Sequence, residues 1–405
     1  MNKELLSTAD LIRLEEAHGA HNYHPLDVVI NRAQGVWVWD VEGNKYLDFL
    51  AAYSAVNQGH CHPRIIAALK EQADKVTLTS RAFRNDQLGP LCAEITRLSG
   101  YSRFLPMNSG AEAVETAIKA ARKWAYKVKG VAEDRGEIIA FSGNFHGRTT
   151  TIVSFSTDEQ YRDGFGPFTP GFRILPYGDI DAVTRAINDE TIAVIVEPIQ
   201  GESGIVSPGP GFLARLREVT AARQVLLMTD EIQSGLGRTG KLFCYEHDGI
   251  RPDIVIIGKA LGGGCLPISG ILADDEVMGV FKPGDHGSTF GGNPLACAVA
   301  RVAMRVIVEE GLIENSAKLG DYFLNRLREI SSPHIKELRG KGLWIGIELK
   351  PEAGGARRFC EALMKEGMLC KETHTHTIRL APPLVISKDE IDWAVERLAK
   401  VLAMA

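Results

Sequence analysis

Four short runs in the middle of the chain, Glu137–Phe141 and residues 193–196, 225–228 and Ile254–Ile257, are apolar almost without interruption. A run of this length with no alternating polar face predicts a strand covered on both sides. Between the second and third, residues 211–223 have helical periodicity through Phe212, Leu213, Leu216 and Val219, which completes a strand–helix–strand unit. Alternation of this kind restricts the chain to an α/β architecture with a mainly parallel central sheet. From about residue 300 the pattern changes to long amphipathic helices over 300–310, 313–330, 355–366 and 388–404, with brief strands around 342–348 and Thr377–Leu380. These predict a second, smaller α/β domain. No internal repeat or low-complexity segment is visible.

Composition sets the class. With 405 residues, 45% of them hydrophobic, the chain is long enough for two packed domains. Its 41 glycines are about a tenth of the residues against a usual ~7%, and they cluster in short runs of the kind that lets backbone approach a ligand closely. Basic residues number 46 and acidic ones 51, interspersed, for a net charge of -5, so a nucleic-acid footprint is not expected. Glu4, Asp10, Glu15 and Glu16 near the start argue against a secretory or transit leader. No apolar run approaches the ~20 residues of a membrane helix. Seven widely spaced cysteines without a C-x-x-C pair suggest free thiols in a reducing cytoplasm.

Each predicted strand runs into a polar residue at its carboxyl end: Glu197, Asp230, and Lys259 after Gly258. Ligands of open parallel sheets bind at those ends. Neighbouring strands lie ~5 Å apart, so Asp230 and Lys259 meet two sides of one aromatic ring if their strands are adjacent or nearly so. An acid and an amine on one ring suit pyridoxal chemistry. The amine condenses with the cofactor aldehyde and, once displaced, moves the proton. The acid keeps the pyridine nitrogen protonated. Taken alone, Lys259 also reads as a solvated lysine and Asp230 as a helix cap, and periodicity does not choose between these readings.

Resemblance does. The strings VEPIQGE (196–202), DEIQSG (230–235) and GKALGGG (258–264) resemble, in order and spacing, segments of the class III (subgroup II) pyridoxal-phosphate-dependent aminotransferases. AYSAVNQGHCHP (52–63), TLTSRAF (77–83) and DGFGPF (163–168) are similar more narrowly to the ornithine aminotransferases within that family, and the likeness runs from about His21 to the C-terminal helix. It implies transferase fold type I, with a large cofactor domain over 54–310, a small domain over 311–405, and residues 1–53 contributing to the small domain. It also implies transfer of the δ-amino group of ornithine to 2-oxoglutarate by a ping-pong mechanism. The alternative is a related ω-aminotransferase acting on 4-aminobutyrate or N-acetylornithine; from another class, a chain of this fold that has lost catalysis is disfavoured by Lys259 and Asp230 both standing in matching motifs.

NSGA (108–111) opens a predicted helix, where free amides attract an anion. The family places its cofactor phosphate there, at Ser109, Gly110 and Ala111, and a plain capping box of Ser109 with Glu112 is compatible with that. The resemblance makes Phe145 the aromatic that stacks on the ring and Gln233 the partner of its phenolic oxygen, and includes Glu197 in the cofactor site. Ser288 and Thr289, in GSTFGGNP (287–294), match a loop reaching the phosphate of a neighbouring subunit, which implies a homodimer or a higher homo-oligomer. Arg379 is expected to take the α-carboxylate of glutamate or 2-oxoglutarate, with Glu202 pairing it while the ω-amino substrate reacts, and Arg148 to take the distal carboxylate. Tyr23 and Tyr53 match positions that shape the ornithine pocket. His146 departs from the tryptophan of some relatives, without a role of its own.

Two further patterns are weighed and set aside. GLGRTGKL (235–242) contains G-x-G-x-x-G, but Leu242 stands where a Walker loop needs Ser or Thr, and the stretch from Gly240 to the break at Gly249, Arg251 and Pro252 is too short for the helix a dinucleotide fingerprint must enter. His60 with His62, and His374 with His376, have the spacing of one strand face but lack further metal ligands, so no metal is expected.

Overall fold

In the computed structural model, which describes residues 6–404, the apolar runs form the middle of a seven-stranded sheet. Its strands are β1 (Arg103–Met107), β2 (Glu137–Phe141), β3 (Phe172–Leu175), β4 (Thr191–Val196), β5 (Leu226–Asp230), β6 (Ile254–Ile257) and β7 (Ser269–Ala273). Their order is β1-β7-β6-β5-β4-β2-β3. From β6 through β3 all neighbours pair in parallel, whereas β7 is antiparallel to both β6 and β1. Every residue of β4, β5 and β6 is buried.

Both faces are apolar, so the period of two shows only in which helix each side chain meets. Ile138, Ala140, Ala193 and Ile195 pack with Val114, Ala117 and Ala121 of the helix Gly110–Trp124. Ile139, Phe141, Val194 and Val196 pack with Leu213 and Leu216 of the helix Phe212–Ala222 on the other side. The α/β class and the strand–helix–strand unit are therefore as expected.

A C-terminal antiparallel sheet runs Ile335–Gly340, Ile345–Leu349, Thr377–Leu380, Lys371–Thr373. An N-terminal sheet of Ile30–Gln34, Trp37–Asp40 and Lys45–Asp48 is completed by Met368–Leu369, which pairs in parallel with Lys45–Asp48. The two ends of the chain thus share one sheet. Residues 1–5 of the expected segment 1–53, Glu4 among them, and residue 405 lie outside the described residues.

Several expectations are corrected. The helix expected at 300–310 begins at Pro294, because Asn293 caps it by accepting the Ala296 amide. Ile335–Gly340 escapes an apolar-run criterion because it is an edge strand with half-exposed residues. His60 and His62 do not share a strand face: the chain turns at Cys61, with φ 50, so that His60 bonds Asp48 at 2.7 Å and His62 bonds Glu310 at 3.1 Å. His374 stands in a turn, with φ 48, and not on a strand with His376. Among the described residues no helix is long and apolar enough to cross a membrane, and the seven cysteines are unpaired.

Candidate active site

β5 and β6 are neighbours, with Asp230 opposite Ile256, so the expected acid and amine do leave adjacent strands. After Gly258 the backbone turns sharply at Lys259, whose φ of 43 is left-handed. A lysine in that region is strained by roughly 1–3 kcal/mol, which the packed strands on either side hold in place. The turn aims Lys259 into a cavity that it shares with Gly110, Ala111, Phe145, Glu197, Asp230 and Gln233. Burial pushes the Lys259 amine down to about 8, against the opposing pull of Glu202 and Asp230.

Asp230 is 5% exposed. Its Oδ1 accepts the Ile232 amide at 3.0 Å, and its Oδ2 lies 2.7 Å from Nδ1 of His146. Since Asp230 is the acceptor, Nδ1 carries the proton. The second ring nitrogen, Nε2, is buried without a partner among the described residues. Burial opposes a charge on His146, but the hydrogen bond to Asp230 and the nearby carboxylates outweigh it and raise its pKa. Glu197, at the end of β4, accepts the Phe145 amide at 2.8 Å, and burial pushes its carboxyl up to about 7. His146 is the residue that sequence reasoning passed over. Its signal is purely spatial, since 84 positions separate it from its partner.

The helix Gly110–Trp124 starts at the cavity wall. Ser109 accepts the Glu112 amide at 3.2 Å, and Glu112 accepts the Ser109 amide at 2.7 Å. That capping box leaves the amides of Gly110 and Ala111 outside the helical ladder, at the positive end of the dipole. Both residues line the cavity. Ser288 is tied to this helix start, its Oγ accepting from Asn108 at 2.8 Å.

Arg379, on Thr377–Leu380 of the C-terminal sheet, is buried. Its Nη2 reaches Glu202 Oε2 and the Gly201 carbonyl, both at 3.0 Å, while Nη1 and Nε have no partner among the described residues. Gln233 donates to the other Glu202 oxygen at 3.1 Å, and its own Oε1 is buried and unpartnered. Burial raises the Glu202 pKa, but Arg379 and Lys259 outweigh it and hold the carboxylate below its usual range. The Arg379 guanidinium lies 5.2 Å from the centre of the Tyr53 ring. Tyr53 sits in a left-handed turn of non-glycine residues, Ala51, Ala52, Tyr53 and Ser54, all with φ between 46 and 74. Asp48 pins the turn by accepting the Leu50 and Ala51 amides at 2.8 and 3.0 Å.

The remaining expected residues stand apart. Arg148 is exposed and stacks on Tyr161, 3.8 Å from the ring centre, beside the cavity and not within it. Tyr23 is 75% exposed and lines a separate groove with the N-terminal helix. Thr289 is exposed as well. The decoy loop 235–242 is compact and holds Arg238, which donates to the Leu343 and Pro382 carbonyls and to Asn57.

The chain as a whole is similar to known proteins. An ornithine aminotransferase of Brevibacillus brevis is 60% identical over 392 residues, covering 97% of this chain and 98% of the relative. The solved ornithine aminotransferase of Toxoplasma gondii superposes with a TM-score of 0.97 at 45% identity, covering 98% of this chain and 96% of that one. An acetylornithine aminotransferase of Elizabethkingia anophelis superposes with a TM-score of 0.90 at 48% identity, covering 98% and 99%. Residues 18–402 match the family described as Aminotransferase class-III, and with that span the chain belongs to it.

Proposed function

We propose that this chain transfers the δ-amino group of L-ornithine to 2-oxoglutarate in two half-reactions, giving glutamate 5-semialdehyde, which can cyclise to pyrroline-5-carboxylate, and L-glutamate. The cofactor is pyridoxal 5'-phosphate, and the residues present fit it: a lysine and an aspartate on one cavity, an aromatic wall at Phe145, two free amides at a helix start, and the unpartnered Oε1 of Gln233. When bound, this cofactor supplies an aldehyde that condenses with amines and a cationic ring that stabilises negative charge on the attached carbon.

The chain's own groups divide the work. Lys259 holds the cofactor and, released from it, carries a proton to and from the substrate carbon. Its lowered pKa keeps part of the amine neutral near neutral pH. Asp230 keeps the pyridine nitrogen protonated, and Phe145 covers the ring. Gln233 would partner the phenolic oxygen of the bound cofactor, and Glu197 orders the Phe145 main chain. Ser109, Gly110 and Ala111 hold the phosphate, joined by Ser288 and Thr289 of a second copy, so the working unit is a homodimer. We place the large domain at 54–310, with 1–53 and 311–405 forming the small one, and the enzyme in the cytoplasm.

The observation that carries the ω-amino reading is the Glu202–Arg379 pair, and ornithine in particular rests on Tyr53 and the string 52–63. One pocket has to accept a donor reacting at its far end and an acid reacting beside its carboxylate. With Glu202 on Arg379, the guanidinium is occupied and an ω-amine is admitted, with Tyr23 and Tyr53 shaping its pocket. With Glu202 turned away, Arg379 binds an α-carboxylate in two-point geometry, and Arg148 takes the distal one. Ornithine, N-acetylornithine, 4-aminobutyrate and lysine, compared as donors with 2-oxoglutarate as acceptor, test this. Ornithine should show the highest kcat/KM. A higher value for N-acetylornithine or 4-aminobutyrate would overturn the substrate while leaving the reaction class intact.

A further inference from the structure

Glu202 lies on a tight hairpin closed by reciprocal main-chain bonds between Gln200 and Val206, at 2.9 and 3.0 Å. The hairpin is clamped from two sides. On the central-sheet side, Gln200 donates to the Ser142 carbonyl at 2.8 Å and Ser203 to the Gly143 carbonyl. On the other side the C-terminal sheet supplies three side-chain donors to three of the hairpin carbonyls. Arg379 bonds the Gly201 oxygen at 3.0 Å, Thr373 bonds that of Glu202, and Arg339 bonds that of Gly204 at 2.7 Å. Arg339 is itself aligned by Glu348 at 2.6 Å. The sheet and hairpin approach so closely that Gly204, at φ 104, has no room for a side chain: a Cβ there would stand 2.7 Å from Arg339 Nη2 and 2.9 Å from Thr377 Oγ1. Neither Thr373 nor Arg339 lines the catalytic cavity.

We propose that Thr373 and Arg339 are positioning residues for substrate choice, fixing the main chain of residues 201–205 so that Arg379 is released only by rotation of the Glu202 side chain. This rests on the reading of Glu202 and Arg379 given above. A hairpin free to drift would loosen the Glu202 carboxylate from Arg379 without any substrate to displace it, and the arginine would then accept an α-carboxylate in both half-reactions. The clamp keeps the pair closed by default. Glutamate and 2-oxoglutarate must displace Glu202, whereas an ω-amine need not.

The test uses pyridoxal-loaded enzyme carrying Thr373→Val, which keeps the shape and removes the hydroxyl, and separately Arg339→Gln on the edge strand, with Thr373→Ser as the conservative variant. Two quantities are read: the ratio of single-turnover kcat/KM for glutamate over ornithine, and by calorimetry the Kd for glutarate, an unreactive diacid. With one hydrogen bond lost from the closed state, the ratio should rise about fivefold and the glutarate Kd fall by a similar factor. Thr373→Ser should return both to the native values. Parallel losses in both half-reactions with an unchanged ratio, or an unchanged glutarate Kd in both variants, would overturn the proposal, leaving these residues as structural support only. If the native enzyme does not transfer the δ-amino group of ornithine, the reading of the site fails and this inference with it. If it does and the ratio is unmoved, only the inference falls.

Discussion

A buried amine and a buried imidazole set the protonation pattern of this site. Lys259→Ala should abolish steady-state turnover and the borohydride-reducible link to the cofactor while leaving pyridoxal phosphate able to bind; near-native turnover would refute the assignment. The amine also has a stability signature. An unfolded chain keeps this proton up to about pH 10.5 and the folded one loses it near 8, so between those values the unfolded state binds more protons and stability rises with pH. The apoenzyme of Lys259→Met should therefore be more stable than the native apoenzyme below pH 8, by on the order of 3 kcal/mol. Urea titrations should show the gap closing as pH rises from about 8 to about 10.5. His146 acts one contact away. His146→Phe removes the 2.7 Å bond to Asp230 and its charge-assisted support. We expect kcat to fall roughly tenfold or more, the equivalent of one such bond, with a shift in the cofactor absorbance that a variant damaged only in folding would not show.

At the scale of elements, two chain segments that each build one wall of the site differ in how openly they announce themselves. The helix start at Ser109 is written as S-x-x-E, and both reciprocal bonds form. Ser109→Ala should cost about 1 kcal/mol in denaturant unfolding and weaken retention of the cofactor phosphate, because the cap that orients the free amides is lost. The turn Ala51–Ser54 has no such signature. Alanine, tyrosine and serine avoid left-handed backbone by ~1–2 kcal/mol each. Asp48, reached from Lys45–Asp48 of the N-terminal sheet, supplies the compensating bonds and sets Tyr53 beside Arg379. Asp48 is near in sequence, but its carboxylate is set by the strand that ends on it and by His60, whose Nε2 lies 2.7 Å from its other oxygen, so the turn is legible only once that strand is in place.

For the whole molecule, the loop with Ser288 and Thr289 carries a prediction about assembly. In a dimer that shares its sites, Lys259→Ala and Thr289→Glu homodimers should each be inactive. After subunit exchange, half the dimers are mixed, and one of the two sites in each is intact. The mixture should recover roughly a quarter of native activity, as the symmetry of a two-fold interface requires; no recovery after demonstrated exchange would exclude a shared site. By itself the sequence determined the central sheet, since runs apolar on both faces have no other stable home, and the carboxyl ends of those runs placed Glu197, Asp230 and Lys259 at one edge. Short-range chemistry also disclosed the Ser109 cap. Tertiary structure alone decided the rest. His146 meets Asp230, Arg379 meets Gly201 beside Glu202, and Arg339 and Thr373 meet the hairpin across 84 to 178 positions of chain. Such contacts depend on which strands become neighbours and how closely two sheets approach, and no local preference of the backbone encodes either.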